Sequence, residues 1–178
     1  MRRAPGFSLV ELLAVIAIGA VLLAVGMPMY AQWIERSRAE AESTAFQLAL
    51  AQARSESLGR GLRVVVAPLA ADWSGGWRVF VDGNRDGSFD ADAHPDDGLG
   101  SGDRELGVHQ VADAVPVAAD FSAGWADRIV FLPGAYVRGG SGGEIVGRMS
   151  FGRAPEIRSV CLSAMGRTQK IKGESCPG

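Results

Sequence analysis

Apolar residues run almost unbroken from Phe7 to Met29, 23 positions interrupted only by Ser8, Glu11 and a few small or helix-bending residues. About 20 consecutive apolar residues cross the hydrocarbon core of a bilayer as a helix, so this run predicts a transmembrane helix over 7–29. No glycine–proline cluster separates Met29 from Leu58, and Ala31 to Leu58 is dominated by alanine, glutamine, arginine and glutamate, which are good helix formers. Ile34, Ala41, Ala45, Leu48, Ala49 and Gln52 fall roughly on one stripe, with Arg36, Glu40, Gln47 and Arg54 elsewhere. The pattern therefore predicts one helix from Phe7 to Leu58. Its first half lies in lipid, and its amphipathic second half (30–60) packs on a head. Pro28 with Gly26 is expected to bend or loosen it at the membrane exit, and Gly59 and Gly61 are its candidate stops.

After Gly61 the period changes. Short apolar runs at Leu62–Ala67, Trp77–Asp82, Glu105–Val111, Arg128–Leu132, Val146–Phe151, Arg158–Ser163 and Thr168–Lys172 alternate with Gly, Pro, Asp and Ser, and read as strands. The expected class is α+β, a long N-terminal helix packed on an antiparallel β-rich head over 61–178. The glycine loop Gly139-Gly140-Ser141-Gly142-Gly143 lacks the Lys-Ser/Thr follower and the helix of a phosphate cradle, and reads as a hairpin loop.

The start of the apolar run is unusual. Arg2 and Arg3 precede Gly6-Phe7-Ser8-Leu9-Val10-Glu11, which puts a carboxylate five positions into the run. A secretory signal has a shorter apolar region, roughly 7–15 residues, ahead of its cleavage site. A charge at bilayer depth costs about 2.5–3.5 kcal/mol on insertion scales and normally has a partner. A plain single-pass anchor with a stray glutamate would leave that partner unexplained. The combination resembles the class III leader of type IV pilins and type II secretion pseudopilins. The resemblance implies that a prepilin peptidase cuts between Gly6 and Phe7, leaving residues 1–6 as the leader, and that Phe7 becomes N-methylated. It also implies that Glu11 pairs with the N-terminal amine of a neighbouring subunit during assembly. Pro28 stands where the family places a helix-kinking proline.

Within that family the head resembles the FimT/GspH branch of minor pilins and pseudopilins. The resemblance rests on Ala53-Arg54-Ser55-Glu56 at the helix end, the Trp77-Arg78-Val79-Phe80-Val81-Asp82-Gly83-Asn84-Arg85-Asp86-Gly87 hairpin, Ile129-Val130-Phe131-Leu132-Pro133-Gly134 and the closing Gly166-Arg167. It implies two functions that the residues do not separate: a FimT-like minor pilin of a type IV pilus, or a GspH-like minor pseudopilin of type II secretion. The implied partners are other minor and major pilins or pseudopilins, the prepilin peptidase and the inner membrane.

Charge and cysteines refine this picture. Arg2 and Arg3 have no matching basic cluster directly after the span, so the N-terminus is expected to be cytoplasmic and the head periplasmic. Cys161 and Cys176, the two cysteines of the chain, lie in the exported part, where an oxidising compartment favours a disulfide. The formal charge of −2 hides an asymmetry. Residues 82–113 hold nine acids against Arg85 and Arg104, whereas residues 148–172 hold six bases against Glu156. In the FimT type a C-terminal G-R-x-R motif is linked to DNA capture. Gly166-Arg167-Thr168-Gln169-Lys170 keeps the glycine and first arginine but has Gln169 in the second arginine's place. The expected DNA-contacting set is Arg167, Lys170 and Lys172, aided by Arg158 and Arg153, with binding that ignores sequence. A solvated basic edge strand or a subunit contact is the other reading of the same residues.

Asp82, Asn84, Asp86 and Asp90 match the first part of a calcium loop, with Gly87 at its sixth position. Position 12 is Ala93 where a bidentate glutamate belongs, and Asp-Gly stretches are ordinary hairpin turns, so a turn is expected and no cofactor is required; weak binding of a cation such as Ca2+, helped by Asp90, Asp92, Asp96 and Asp97, is the other reading. His94 and His109, the only histidines, lack triad-like or metal-spaced companions and are expected at the surface. Catalysis is not expected.

Overall fold

A computed structural model describes residues 8–90, 103–112, 115–121, 127–134, 136–140, 142–143 and 145–176. Helix α1 runs from Leu9 to Arg60. Ser8 caps its start, accepting from the Glu11 amide at 3.2 Å, and Gly61 ends it in the left-handed conformation (φ 69°). Gly59 is still helical, so Gly61 alone of the two candidate stops terminates the helix. The helical backbone passes continuously through Gly26 and Pro28.

The head carries two antiparallel sheets. The first has the order β3 (Arg104–His109), β2 (Trp77–Val81), β1 (Val64–Pro68), β5 (Ile129–Phe131), β6 (Val137–Gly139). The second has the order β4 (Val117–Phe121), β7 (Gly147–Phe151), β8 (Arg158–Leu162), β9 (Thr168–Lys172). All seven expected strands form. The sequence pattern does not predict β4 and β6. Val117-Ala-Ala-Asp-Phe121 is poor in strand formers, and β6 is three residues long; each exists because a neighbour, β7 or β5, offers a free edge.

The upper half of α1 lies across both sheets. Alternation sends Val64, Val66, Ile129 and Phe131 toward the helix, while Val65, Phe80 and Val130 form a second small cluster on the opposite face. That second cluster is roofed by Phe89, whose ring meets Phe80 edge-on at 5.4 Å, and it explains why β1 and β5 are apolar on both faces. The main core centres on Phe46, whose ring lies 5.0 Å from Trp77 and 5.8 Å from both Trp73 and Phe151.

The buried stripe of the helix differs from the expected one. Ala39, Glu42, Ser43, Phe46, Ala49, Leu50, Ala53 and Ser57 are buried, whereas Ala41, Leu48 and Gln52 are exposed and Ile34 and Ala45 are half-buried. Alanine carries too little apolar area to rank one helix face above another. The large side chains Phe46 and Leu50 set the rotation, and Leu48 is left 64% exposed. At Gly152 (φ 93°) a Cβ would sit 2.9 Å from the Ala39 methyl, so a glycine lets the β7–β8 turn close on the helix.

Candidate functional site

The lower half of α1 and the C-terminal hairpin hold the residues singled out by sequence. The head leaves the lower half uncovered: Leu9, Val10, Leu12, Leu13, Val15, Ile16, Ile18, Val21, Leu22 and Leu23 are all exposed. An 18-residue window of the helix is apolar enough to cross a membrane, and none of it is buried by the head. Glu11 sits in the first turn of this uncovered segment. Gly6 and Phe7 lie outside the described residues.

The upper half is fastened to the head by three glutamates. Glu40 accepts from Arg158 Nε at 2.8 Å and from Lys170 Nζ, and Lys170 also reaches Thr44 Oγ1 at 3.0 Å. Glu42 is buried, its Oε2 lying 2.7 Å from His109 Nε2 and its Oε1 accepting from the Ala112 amide at 3.2 Å. Glu56 pairs with Arg60 at 2.6 Å and Arg104 at 4.0 Å. The His109 ring stacks on Trp77 at 4.4 Å. His109 is thus a half-buried link between helix and first sheet, not the surface residue expected; His94 lies outside the described residues.

The same contacts correct the expected basic surface. Arg158 is 5% exposed, turned inward by alternation and paired with Glu40 and with Glu156 at 3.6 Å. Lys170 is held by Glu40 and Thr44 beside the helix. Both cations therefore neutralise the helix, Arg158 from inside the head and Lys170 from its half-buried edge. Arg167, Lys172 and Arg153 are exposed. Arg167 and Lys172 lie five residues apart, at opposite ends of β9, which a strand spreads over about 17 Å. No single basic patch joins Arg167, Lys170 and Lys172. Gly166 has its own packing reason: its φ is 69°, a Cβ would lie 2.9 Å from Val137 Cγ2, and its carbonyl accepts from Arg54 Nη1 at 3.1 Å.

Cys161 and Cys176 form the disulfide, with Cα atoms 5.9 Å apart. It ties the C-terminal segment to β8 across a sequence separation of 15, and a loop of that size stabilises by about 3 kcal/mol in the chain-entropy model. Reduction should lower head stability by about that amount. Denaturant midpoints with and without reductant test this, and equal midpoints would contradict it.

The acidic loop is tied to itself through backbone amides. Asp82 Oδ2 accepts from Gly87 N at 3.1 Å and pairs with Arg63 at 2.8 Å. Asn84 Oδ1 accepts from Asp86 N at 3.0 Å, and Asp86 Oδ1 from Ser88 N at 2.6 Å. Asp103 accepts from Gly83 N at 3.0 Å and Asp90 N at 2.9 Å, closing the loop onto β3. Among the described residues no three His, Cys, Asp or Glu side chains gather as metal ligands. Asp92, Asp96 and Asp97 lie outside them. Burial pushes the Asp82 carboxyl above the usual range, with Arg63 opposing it.

Two family models match. The model for type II transport protein GspH covers residues 42–166, and that for the prokaryotic N-terminal methylation motif covers residues 1–27. The chain belongs to the GspH family. The fold is similar to that of the type IV minor pilin FimU of Pseudomonas aeruginosa, at 17% identity and a TM-score of 0.51, covering 77% of this chain and 90% of that one. A second crystal form of FimU aligns at 15% identity and a TM-score of 0.49, covering 74% and 91% of the two chains. No curated protein sequence matches. This GspH-family chain is a type IV pilin-like minor pilin or pseudopilin, with one long apolar N-terminal helix followed by antiparallel sheets.

The glutamate links of this GspH-family protein give it a defined acid response. Lys170 above all, then Arg158, holds the Glu40 carboxyl below its ordinary range despite some burial. A lowered folded pKa means that the stabilisation is complete above the ordinary carboxylate pKa and fades as pH falls through the lowered one. Glu40→Gln should therefore destabilise the head at neutral pH and reduce its loss of stability on acidification. Thermal melts across the acidic range check this; parallel pH profiles would contradict it. Sequence reasoning misses Glu40 and Glu42 as site residues because acids on a helix read as solvent-facing. Their placement beside the small residues Ala39 and Ser43 is the available signal.

Proposed function

We propose that the protein is a minor subunit of a type IV pilus, FimT-like in role, anchored in the inner membrane and transferred from lipid into a filament segment. The observation that supports this most is the division of α1. One half is locked to the head by Phe46 and three glutamates, while the other offers an apolar surface on every side with Glu11 in its first turn. Such a segment needs lipid or the equivalent helices of neighbours. A prepilin peptidase would remove residues 1–6 and leave Phe7 as a methylated terminus.

The second reading, a minor pseudopilin of type II secretion, is favoured by the description of the matching family model. The two machines are told apart in the native host. Deletion should abolish pilus-dependent motility and transformation while leaving exoprotein secretion intact; the reverse pattern selects the secretion system. Weak contact with DNA by this subunit would rest on Arg167 and Lys172, the exposed members of the expected three. Two neutralised phosphates give a log–log salt slope of roughly −1.8, and Arg167→Gln should flatten it by about one unit. Fluorescence polarisation of labelled duplex at low salt measures both, and no binding by the head would leave a purely structural subunit.

A further inference from the structure

We infer that the membrane-facing base of the head is a lipid-headgroup collar, built from Tyr30 and Trp33 on α1 with Arg36, Arg38 and the turn residue Arg153, and that it seats the waiting subunit on anionic phospholipid. The inference rests on the membrane-anchored reading above and adds to it a second, polar contact with the bilayer.

Helix geometry sets the depths. The 21 residues from Leu9 to Met29 rise by about 31 Å, against a hydrocarbon core of about 30 Å. The next residues enter the headgroup layer, roughly 5–8 Å thick on each side. There Tyr30 and Trp33 stack on one another at 6.1 Å, 63% and 62% exposed, touching no part of the head core. Amphipathic aromatic rings concentrate at this level of a membrane. Arg36 and Arg38, both exposed, follow Trp33 by three and five residues, so their Cα atoms stand about 11 and 14 Å beyond Met29, just past that layer. Helical Cα–Cβ bonds tilt toward the N-terminus, so these two side chains lean back toward the bilayer.

Arg153 reaches the same level from the other side. Its turn is held against the helix by Gly152 on Ala39, and a shallow cleft there is lined by Glu35, Arg38, Pro116 and Arg153. Arg38 and Arg153 have no ion-pair partner among the described residues. The opposing acids are Glu35, which is exposed, and Glu156, which is shared by Arg36 at 3.9 Å and Arg158 at 3.6 Å. The acidic loop around Asp82 and Asp103 lies past the far end of the helix, after Gly61. The two ends of α1 therefore differ in pairing: Arg38 and Arg153 at the membrane end have no carboxylate partner among the described residues, whereas Arg60 and Arg63 at the far end are paired with Glu56 and Asp82. An aromatic pair beside three guanidinium groups matches a surface that offers an interfacial layer and phosphates together.

The test uses the mature full chain in nanodiscs of phosphatidylcholine, with and without phosphatidylglycerol. Trp33 should be quenched most by lipids brominated near the headgroup, and Trp33→Phe should remove that component. Amide exchange across residues 152–157 should slow in the anionic discs, by roughly five-fold for each arginine engaged, the ratio equivalent to about 1 kcal/mol per basic side chain at an anionic surface. Arg38→Gln with Arg153→Gln should abolish the slowing while exchange of β8 stays unchanged. Quenching at headgroup depth with exchange indifferent to lipid charge overturns the collar and spares the anchor. Quenching deepest in the acyl region overturns the placement of the aromatic pair. No quenching at any depth overturns the anchor and the collar with it.

Discussion

Replacing Phe46 with alanine is expected to cost the head about 3–5 kcal/mol, the usual penalty for emptying a large aromatic site in a core. Phe46 is fully buried and touches Trp73, Trp77 and Phe151 at once, so its removal opens a cavity where the helix and both sheets meet. Rigid neighbouring rings cannot collapse into that space, which places the expected loss toward the upper part of the range. A small domain has only about 5–15 kcal/mol in total, so this variant should be marginal. The control is Leu48→Ala two residues on, where the side chain is 64% exposed and the cost should be small. Denaturant unfolding of the soluble head measures both. Equal losses at the two positions would mean that a different face of the helix meets the sheets.

The second large effect concerns assembly rather than stability. Glu11→Ala should leave leader processing and head folding intact, because Glu11 lies at the opposite end of α1 from the head and its amide bonds to the Ser8 cap. Incorporation beside other subunits should fail, since a neighbour's terminal amine would lose its counter-charge in a low-dielectric setting. Breaking a buried ion pair by removing one partner costs about 3–5 kcal/mol. The measurement is the ratio of subunit in sheared filaments to subunit in membranes. An unchanged ratio would remove the pairing role from Glu11.

Much of this architecture is legible in the sequence because the signals are long or redundant. The helix is announced by 52 continuous residues, and the seven strongest strands by β-branched or aromatic runs between turn residues. The cysteine pair is read from compartment, and the loop around Asp82 from its Asp, Asn and Gly spacing. What the sequence hides is whatever depends on a partner far along the chain. β4 and β6 exist through the edges of β7 and β5. The inward role of Lys170 depends on Glu40, 130 positions earlier. That of His109 depends on Glu42, 67 positions earlier. A count of basic residues over 148–172 cannot foresee that the helix neutralises two of them.

Maturation of this GspH-family chain as a pilin-like subunit leaves a signature in its mass, read by intact-mass analysis of the protein purified from its native host. The expected result is a chain that begins at Phe7, carries one methyl group and retains the Cys161–Cys176 disulfide. A mature protein that still begins at Met1, or one that begins after Met29, would contradict it.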